Sequence, residues 1–204
     1  MELAGVTIHV EHRYPYVYQA CREFEVPLSE KTDFTVRTTD ERIRKEFEAW
    51  EEICGCPLDF EVWKGRCESD SLITDICDQM PFYDMFMMHA AVVAVDGVAY
   101  IFTAPSGTGK STHIQLWKDH FGSRAVIVNG DKPLIRLQNG GVYVCSTPWK
   151  GKEELGLGPG AVFPVGGICM LKQSPENQIR KLSVSEASRY IFRQVHLSRN
   201  NEET

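Results

Sequence analysis

The chain lacks any apolar run long enough to cross a bilayer; its best stretch, residues 90–104, is interrupted by Asp96-Gly97. It also lacks an excess of basic charge. Against 28 Asp and Glu stand 22 Lys and Arg, for a formal net charge of −6. That balance argues against nucleic acid as a partner, because such binding rests on Lys and Arg at phosphates. It leaves room for a single nucleotide, since a local nest of N–H groups holds a phosphate against the global charge. The opening MELAGVTIHVEHRYPY has no basic start followed by an apolar stretch, so no secretory leader is expected and the expected location is cytoplasmic, with no membrane partner. Neither a repeat nor a low-complexity segment is visible. The seven cysteines lack a metal pattern. Cys54, Cys56, Cys67 and Cys77 run as C-x-C, a gap of ten residues and a gap of nine, not as paired C-x-x-C knuckles. The expectation is reduced thiols, some buried as small apolar groups.

What is present is a chain of 204 residues, 43% hydrophobic and 25% charged, which suits a folded core. Its character changes near residue 88. Residues 1–88 read as an N-terminal α+β region, a small cover. TIHV (7–10) and TDFTVRTT (32–39) suit strands, and 40–54 place Ile43, Phe47 and Trp50 at helical spacing. A further helix is expected over 69–80, stopped or kinked by Pro81. Residues 89–204 read as a nucleotide-binding, kinase-like core. AVVAV (91–95), Asp96-Gly97 and VAYIFT (98–103) form a hairpin signal, because Asp-Gly suits the positive φ of a type I′ turn. A helix follows from Lys110 to about Phe121, then the strand AVIV (125–128). A second hairpin joins LIRL (134–137) to VYVCS (142–146) through Asn139-Gly140-Gly141. A Gly-rich loop spans 148–160, a strand 165–171, and Ser183 with Glu186 fit a capping box that opens a last helix.

Between the first hairpin and its helix stands APSGTGKST, residues 104–112. It matches the G-x-x-x-x-G-K-S/T phosphate loop at every fixed place except the first, where Ala104 replaces glycine. Alanine suits that place if φ is negative, since only a positive φ strictly favours glycine. Ser106, Gly107, Thr108 and Gly109 keep the loop small enough for N–H groups to converge on a phosphate. The helix beginning at Lys110 adds its positive end. Lys110 is expected to reach the β/γ oxygens and Ser111 to ligate Mg²⁺, with Thr112 completing the nucleotide contacts. Asp131 closes a buried-type strand and is the candidate metal ligand, although Gly-Asp-Lys-Pro also suits a plain turn. Lys132 and Arg136 would neutralise phosphate or be solvated. The strands on both sides of the loop are expected in antiparallel hairpins, unlike the parallel βαβ sheet of common P-loop enzymes.

From His89 to about Val195 the chain resembles the superfamily of HPr kinase/phosphorylase and phosphoenolpyruvate carboxykinase, and in particular the smaller HPr-kinase-like proteins of bacteria. The resemblance rests on HAAVVAVDGVAYIFTAPSGTGKST, VIVNGDKPLIR, TPWKGKEELG and LKQSPENQIRKLSVSEA, with HRYPY and DFTV in the first part. It implies an α/β fold of the α+β type: a mixed, largely antiparallel sheet with a phosphate loop and helix, like the C-terminal domain of those enzymes. It further implies that His89, on its residues alone a hydrogen-bonded histidine at a strand start, lies near the γ-phosphate or the acceptor. Relatives carry an acidic pair where this chain has Gly130-Asp131, and a Glu after the loop Ser where it has Thr112. Asp131 is therefore left to serve as metal ligand or base. Lys152 sits where relatives fold over the site and would touch phosphate or acceptor, or be solvated. The segment that grips the HPr protein and builds the hexamer is not recognisable.

The implied activity is that of an ATP-dependent kinase, with ATP or another nucleoside triphosphate and Mg²⁺, acting on a hydroxyl. The acceptor would be a serine of a protein or peptide, or a small alcohol, and a homo-oligomer is compatible with this. His89, Lys110 and Asp131 would carry the chemistry. The alternative is a nucleotide-binding regulator without transfer. Phosphoenolpyruvate carboxykinase chemistry ranks last, because its metal-binding Lys and His and its acid-binding arginines are not found.

Overall fold

The computed structural model describes residues 1–27 and 31–196. They fall into two compact units, Met1–Tyr83 and Asp84–His196. In the first, β1 (Glu2–Leu3) and β2 (Val6–Glu11) pair antiparallel, α1 (Pro15–Cys21) follows, and β3 (Phe34–Arg37) joins β2 in parallel. Two helices complete the unit, α2 (Asp40–Cys54) and α3 (Phe60–Gln79). The ends of α2 follow from local chemistry. Thr39 caps its start by accepting from the Arg42 N–H, and Gly55 at φ 66° ends it. Its Ile43 is buried, and Phe47 meets Phe60 of α3 edge-on, with ring centres 5.2 Å apart.

The expected 69–80 helix is only the second half of α3, which begins at Phe60 behind an Asp59 cap. Gly65 lies inside it, where glycine ordinarily weakens a helix. A Cβ at Gly65 would stand 2.7 Å from the Tyr16 Cβ. The glycine lets α1 approach α3, and tertiary packing outweighs its poor propensity. Pro81 does end α3, in a short 3-10 turn over Met80–Tyr83.

The second unit is built on a seven-stranded sheet. Its strands in chain order are β4 (Met85–Met87), β5 (Ala90–Val95), β6 (Val98–Thr103), β7 (Ala125–Asn129), β8 (Leu134–Gln138), β9 (Gly141–Cys145) and β10 (Val162–Met170). In space they run β4-β8-β9-β10-β6-β5-β7. Both expected hairpins are present. Asp96 and Gly97 have φ of 50° and 81°, Asn139 and Gly140 of 52° and 74°, as a type I′ turn requires.

The strand before the loop, β6, sits in the expected antiparallel hairpin with β5, and the strand after the loop's helix, β7, also pairs antiparallel with β5, although not as a hairpin. On its other side β6 pairs with β10 in parallel, the one parallel pair of this sheet among the described residues. The register shifts between Val165 and Gly167, where a Cβ on Gly166 would come 2.5 Å from Val98 Cγ1. This bulge lets β10 serve β9 with its first half and β6 with its second. The sheet is thus mixed and largely antiparallel.

β5 is buried along its whole length. Its alternate residues face two layers. Ala91 and Val93 join Ile114 of α4 (Lys110–Phe121), with Trp117 and Phe121 packed at the margin. Ala90, Val92 and Ala94 join Ile101, Val128 and Val144, against which Ile191 of α5 (Val184–Phe192) packs. Ser183 and Glu186 make the expected capping box on α5. The chain then returns to the start of β5. The His89 N–H donates to the Gln194 carbonyl at 2.7 Å, and the His196 N–H to the Met87 carbonyl at 2.9 Å. Among the described residues no helix is long and apolar enough to cross a membrane.

Candidate functional site

β6 ends at Thr103, whose hydroxyl donates to the His89 carbonyl at 2.9 Å. This bond ties the strand that enters the loop to the start of its hairpin partner. Ala104 is fully buried and is not at positive φ, so its Cβ meets no backbone penalty. Positive φ falls instead on Gly107 (77°) and Gly109 (109°), where the motif supplies glycine. Ser106 precedes Gly107 and Thr108 lies between the two glycines, and the Gln173 amide donates to the Thr108 carbonyl at 3.3 Å. α4 starts at Lys110, so the first N–H groups of the helix open toward the loop without intrahelical partners. Ser111 is half-buried and Thr112 exposed on that first turn.

Lys110 is 8% exposed, and its ammonium folds back to donate to the Ala104 carbonyl at 3.0 Å, with the Pro105 carbonyl at 3.5 Å. Burial lowers its pKa, Asp131 opposes that, and Lys132 adds to it. An ammonium held by two loop carbonyls at a helix start has stronger partners available in any phosphate that enters.

The second half of the site is the corner after β7. Asn129 is fully buried. Its side-chain carbonyl accepts from the N–H groups of Asp131 and Lys132, each at 2.9 Å. Its amide donates to the Thr147 carbonyl at 3.2 Å and the Thr147 hydroxyl at 3.1 Å. That hydroxyl donates in turn to the Lys132 carbonyl at 2.6 Å. Every polar atom of this buried amide is thereby used to fix the backbone that carries Asp131. Gly130 permits the Gly-rich loop to close on the same corner, since a Cβ there would be 2.7 Å from the Lys150 carbonyl.

Asp131 Oδ2 accepts from Lys132 Nζ at 2.6 Å, and Oδ1 lies 3.5 Å from His89 Nε2. Burial pushes the Asp131 pKa up, but Lys132, His89 and Lys110 together outweigh it and hold the carboxyl below its usual range. His89 is shifted down, first by burial and then by Lys110, with Asp131 opposing. It is the neutral imidazole near pH 7. His196 joins the same group of charges. Its pKa is pushed down to about 4 by burial and by Lys132 and His89, and its Nε2 is buried without a hydrogen-bond partner among the described residues.

The fold therefore brings Lys110, His89, Asp131 and Lys132 into one electrostatic cluster at the mouth of the loop. Lys152 stays exposed in the turn over 151–154, beside Gly151. Arg136 sits on β8 opposite Met85 and Tyr143 and is not among the charges acting on Asp131. Three residues around this cluster were not singled out in the sequence. Asn129 and Thr147 had a signal, as polar residues closing buried strands. His196 had none, because only the return of the chain after α5 buries it. Of the grouped cysteines, Cys54 and Cys56 are exposed, and Cys67 and Cys77 are buried on α3. Burial pushes the Cys67 thiol up to about 11. Among the described residues no group of three His, Cys, Asp or Glu is arranged to hold a metal by itself.

No protein-family model matches the chain, and no curated protein matches it in sequence. One solved structure with which it aligns is that of the Hpr(Ser) kinase/phosphatase from Coxiella burnetii, at 15% identity and a TM-score of 0.35. The aligned part covers 46% of this chain and 64% of that one, so the chain spans less than two thirds of that structure's length.

Proposed function

We propose that this chain is an ATP-binding phosphotransferase of the HPr-kinase type, which moves the γ-phosphoryl group of a nucleotide to a hydroxyl. One observation carries the reading. A buried lysine on the first turn of a helix is folded onto the carbonyls of a small Gly-rich loop, within electrostatic reach of an ionised aspartate. A structural lysine gains little from burial without a carboxylate contact, whereas a phosphate-binding lysine must stand there.

In this reading the N–H groups of Gly107, Gly109 and Lys110 and the Lys110 ammonium cradle the β- and γ-phosphates. The oxygen donors available to Mg²⁺ are the Ser111 hydroxyl and the Asp131 carboxylate. They fit an ion that takes one or two protein ligands and completes its shell with phosphate oxygens and water. When bound with the nucleotide, the ion would offset charge on the transferring group. The acceptor hydroxyl donates its hydrogen bond to Asp131. Its oxygen forms the new bond to the γ-phosphorus as the bond to the β,γ-bridging oxygen breaks. The proton passes to the carboxylate, and the nucleoside diphosphate leaves. A carboxyl held below its usual range is a weak base, so its main contribution is to orient the hydroxyl. Lys132, which donates to Asp131 at 2.6 Å, would exchange that partner for the transferring phosphoryl.

A second reading, a nucleotide-binding regulator without transfer, draws on the same corner. Asp131 is already bound to Lys132, and the residue before it is Gly130 in place of a second acid. Incubation with Mg²⁺ and γ-labelled ATP, across peptides containing serine and small alcohols, separates the two. Label on an acceptor that vanishes with Asp131→Asn supports transfer. Tight nucleotide binding with no label on any acceptor and no phosphate released would favour the regulator.

A further inference from the structure

A cavity of about 440 Å³ opens beside the Gly-rich loop, on the β10 and α5 side. Pro105 and Thr108 form its loop wall, and Leu171, Lys172, Tyr190 and Arg193 line the rest. It is open to solvent and mostly apolar, with the polar part of its wall supplied by a few side chains. Its charge is one-sided. Lys172 leaves the end of β10 and meets a phenol: its Nζ lies 3.4 Å from the Tyr190 hydroxyl and 5.5 Å from the ring centre. Arg193 stands at the end of α5. Among the described residues neither cation has a carboxylate partner. In a chain with 28 acidic against 22 basic residues, two unpaired cations on one cavity mark a place for an anion.

The cavity is also joined to both halves of the catalytic cluster. Gln173 holds the Thr108 carbonyl of the loop. Gln194 lines the cavity while its backbone carbonyl accepts from His89, whose imidazole stands beside Asp131. A flat base would stack on Tyr190, but Lys172 already covers that ring. The loop's own N–H groups and Lys110 serve the nucleotide phosphates. The two cations are left over for the other substrate.

We propose that the hydroxyl acceptor carries an anionic group, a phosphate or a carboxylate, which is seated between Lys172 and Arg193. The proposal rests on the phosphotransferase reading above. It makes the substrate an anionic alcohol and sets the cavity as the source of its selectivity, through charge-assisted hydrogen bonds from both cations.

Calorimetric titration with glycerol 3-phosphate, glycerate and glycerol tests it in two settings. One is the protein saturated with Mg²⁺ and a non-hydrolysable ATP analogue; the other is Lys110→Ala without nucleotide, where the loop is disabled. In both, at least one of the two anions is expected to bind and glycerol is not, and the stronger anion identifies phosphate or carboxylate as the preferred group. The double variant Lys172→Ala/Arg193→Ala should weaken that binding by about tenfold or more, with affinity for the analogue changed by less than about twofold. Binding of glycerol equal to that of the anions would overturn the proposal. So would a double variant that loses the analogue instead, because the cations would then serve the nucleotide. If the analogue binds and neither anion does, the anionic acceptor falls and the nucleotide reading stands. If the anion binds to Lys110→Ala while the wild type never binds the analogue, the phosphotransferase reading falls, and the acceptor role with it.

Discussion

Two carboxylates, one in each unit, are withdrawn from water and held in opposite ways. Glu68 on α3 is fully buried, and its two oxygens accept from backbone: the Arg13 N–H at 2.7 Å and the Tyr14 N–H at 2.9 Å. Backbone donors cannot move away without undoing the segment that precedes α1. Asp131 keeps a side-chain exposure of 24% and is held by side chains, Lys132 at 2.6 Å and His89 at 3.5 Å. Side-chain donors can change partner at the cost of a rotamer. The first arrangement ties a chain segment in place. In the proposed phosphotransferase the second keeps a charge available to a substrate. Burial of an acid therefore identifies a site only when its partners are free to leave.

The largest expected effect tests the Asp131 half of that contrast. Asp131→Asn should lower phosphotransfer by about a thousandfold, the span usual for a lost acid–base or orienting group. Its unfolding free energy should stay within about 1 kcal/mol of wild type, because its partners are partly solvated. A loss of stability without a loss of rate would place Asp131 with Glu68. The converse experiment is Glu68→Ala, which takes the acceptor from two partly buried backbone N–H groups and empties a fully buried side-chain position. It should cost about 3 kcal/mol in urea unfolding and leave nucleotide affinity unchanged.

His196 sharpens the comparison through pH. Its folded-state pKa is about 4 against an ordinary 6.5. The unfolded chain therefore takes up a proton that the folded chain refuses. The stability this histidine contributes is full above about pH 6.5 and is lost as pH falls toward 4. The loss at pH 5 is about 2 kcal/mol by the same linkage. His196→Gln should flatten the slope of stability between pH 7 and pH 5, measured by denaturant unfolding. An unchanged slope would show that another group is responsible. The smallest effect is that of Thr147→Val, which removes one buried hydroxyl from the Asn129 network and should cost about 1 kcal/mol. It should also slow transfer more than it weakens nucleotide binding, because the network aims Asp131 and not the loop. Equal effects on both would mean that the corner and the loop are not separable.

Most of what was legible in the sequence is local in origin. The Asp96-Gly97 and Asn139-Gly140 turns and the Ser183 cap are set by residues within a few places of one another. The loop was legible for the same reason, and Ala104 fits because positive φ is needed elsewhere. What was not legible is non-local. The parallel pairing of β10 with β6 joins residues more than sixty places apart, and α3 runs through Gly65 only because α1 packs there. The site divides in the same way. Lys110 and Asp131 announce themselves through motif and strand end, whereas the burial of His196 follows from a chain return that no spacing encodes.

The central claim is that the loop over residues 104–111 binds a nucleotide phosphate through Lys110, and calorimetry of Mg²⁺·ATP on the wild type and Lys110→Ala tests it most directly. The account predicts one ATP per chain and a fall in affinity of about a hundredfold in the variant, the loss of a charge-assisted contact to phosphate. Absence of binding to the wild type, or equal binding to both proteins, would contradict it.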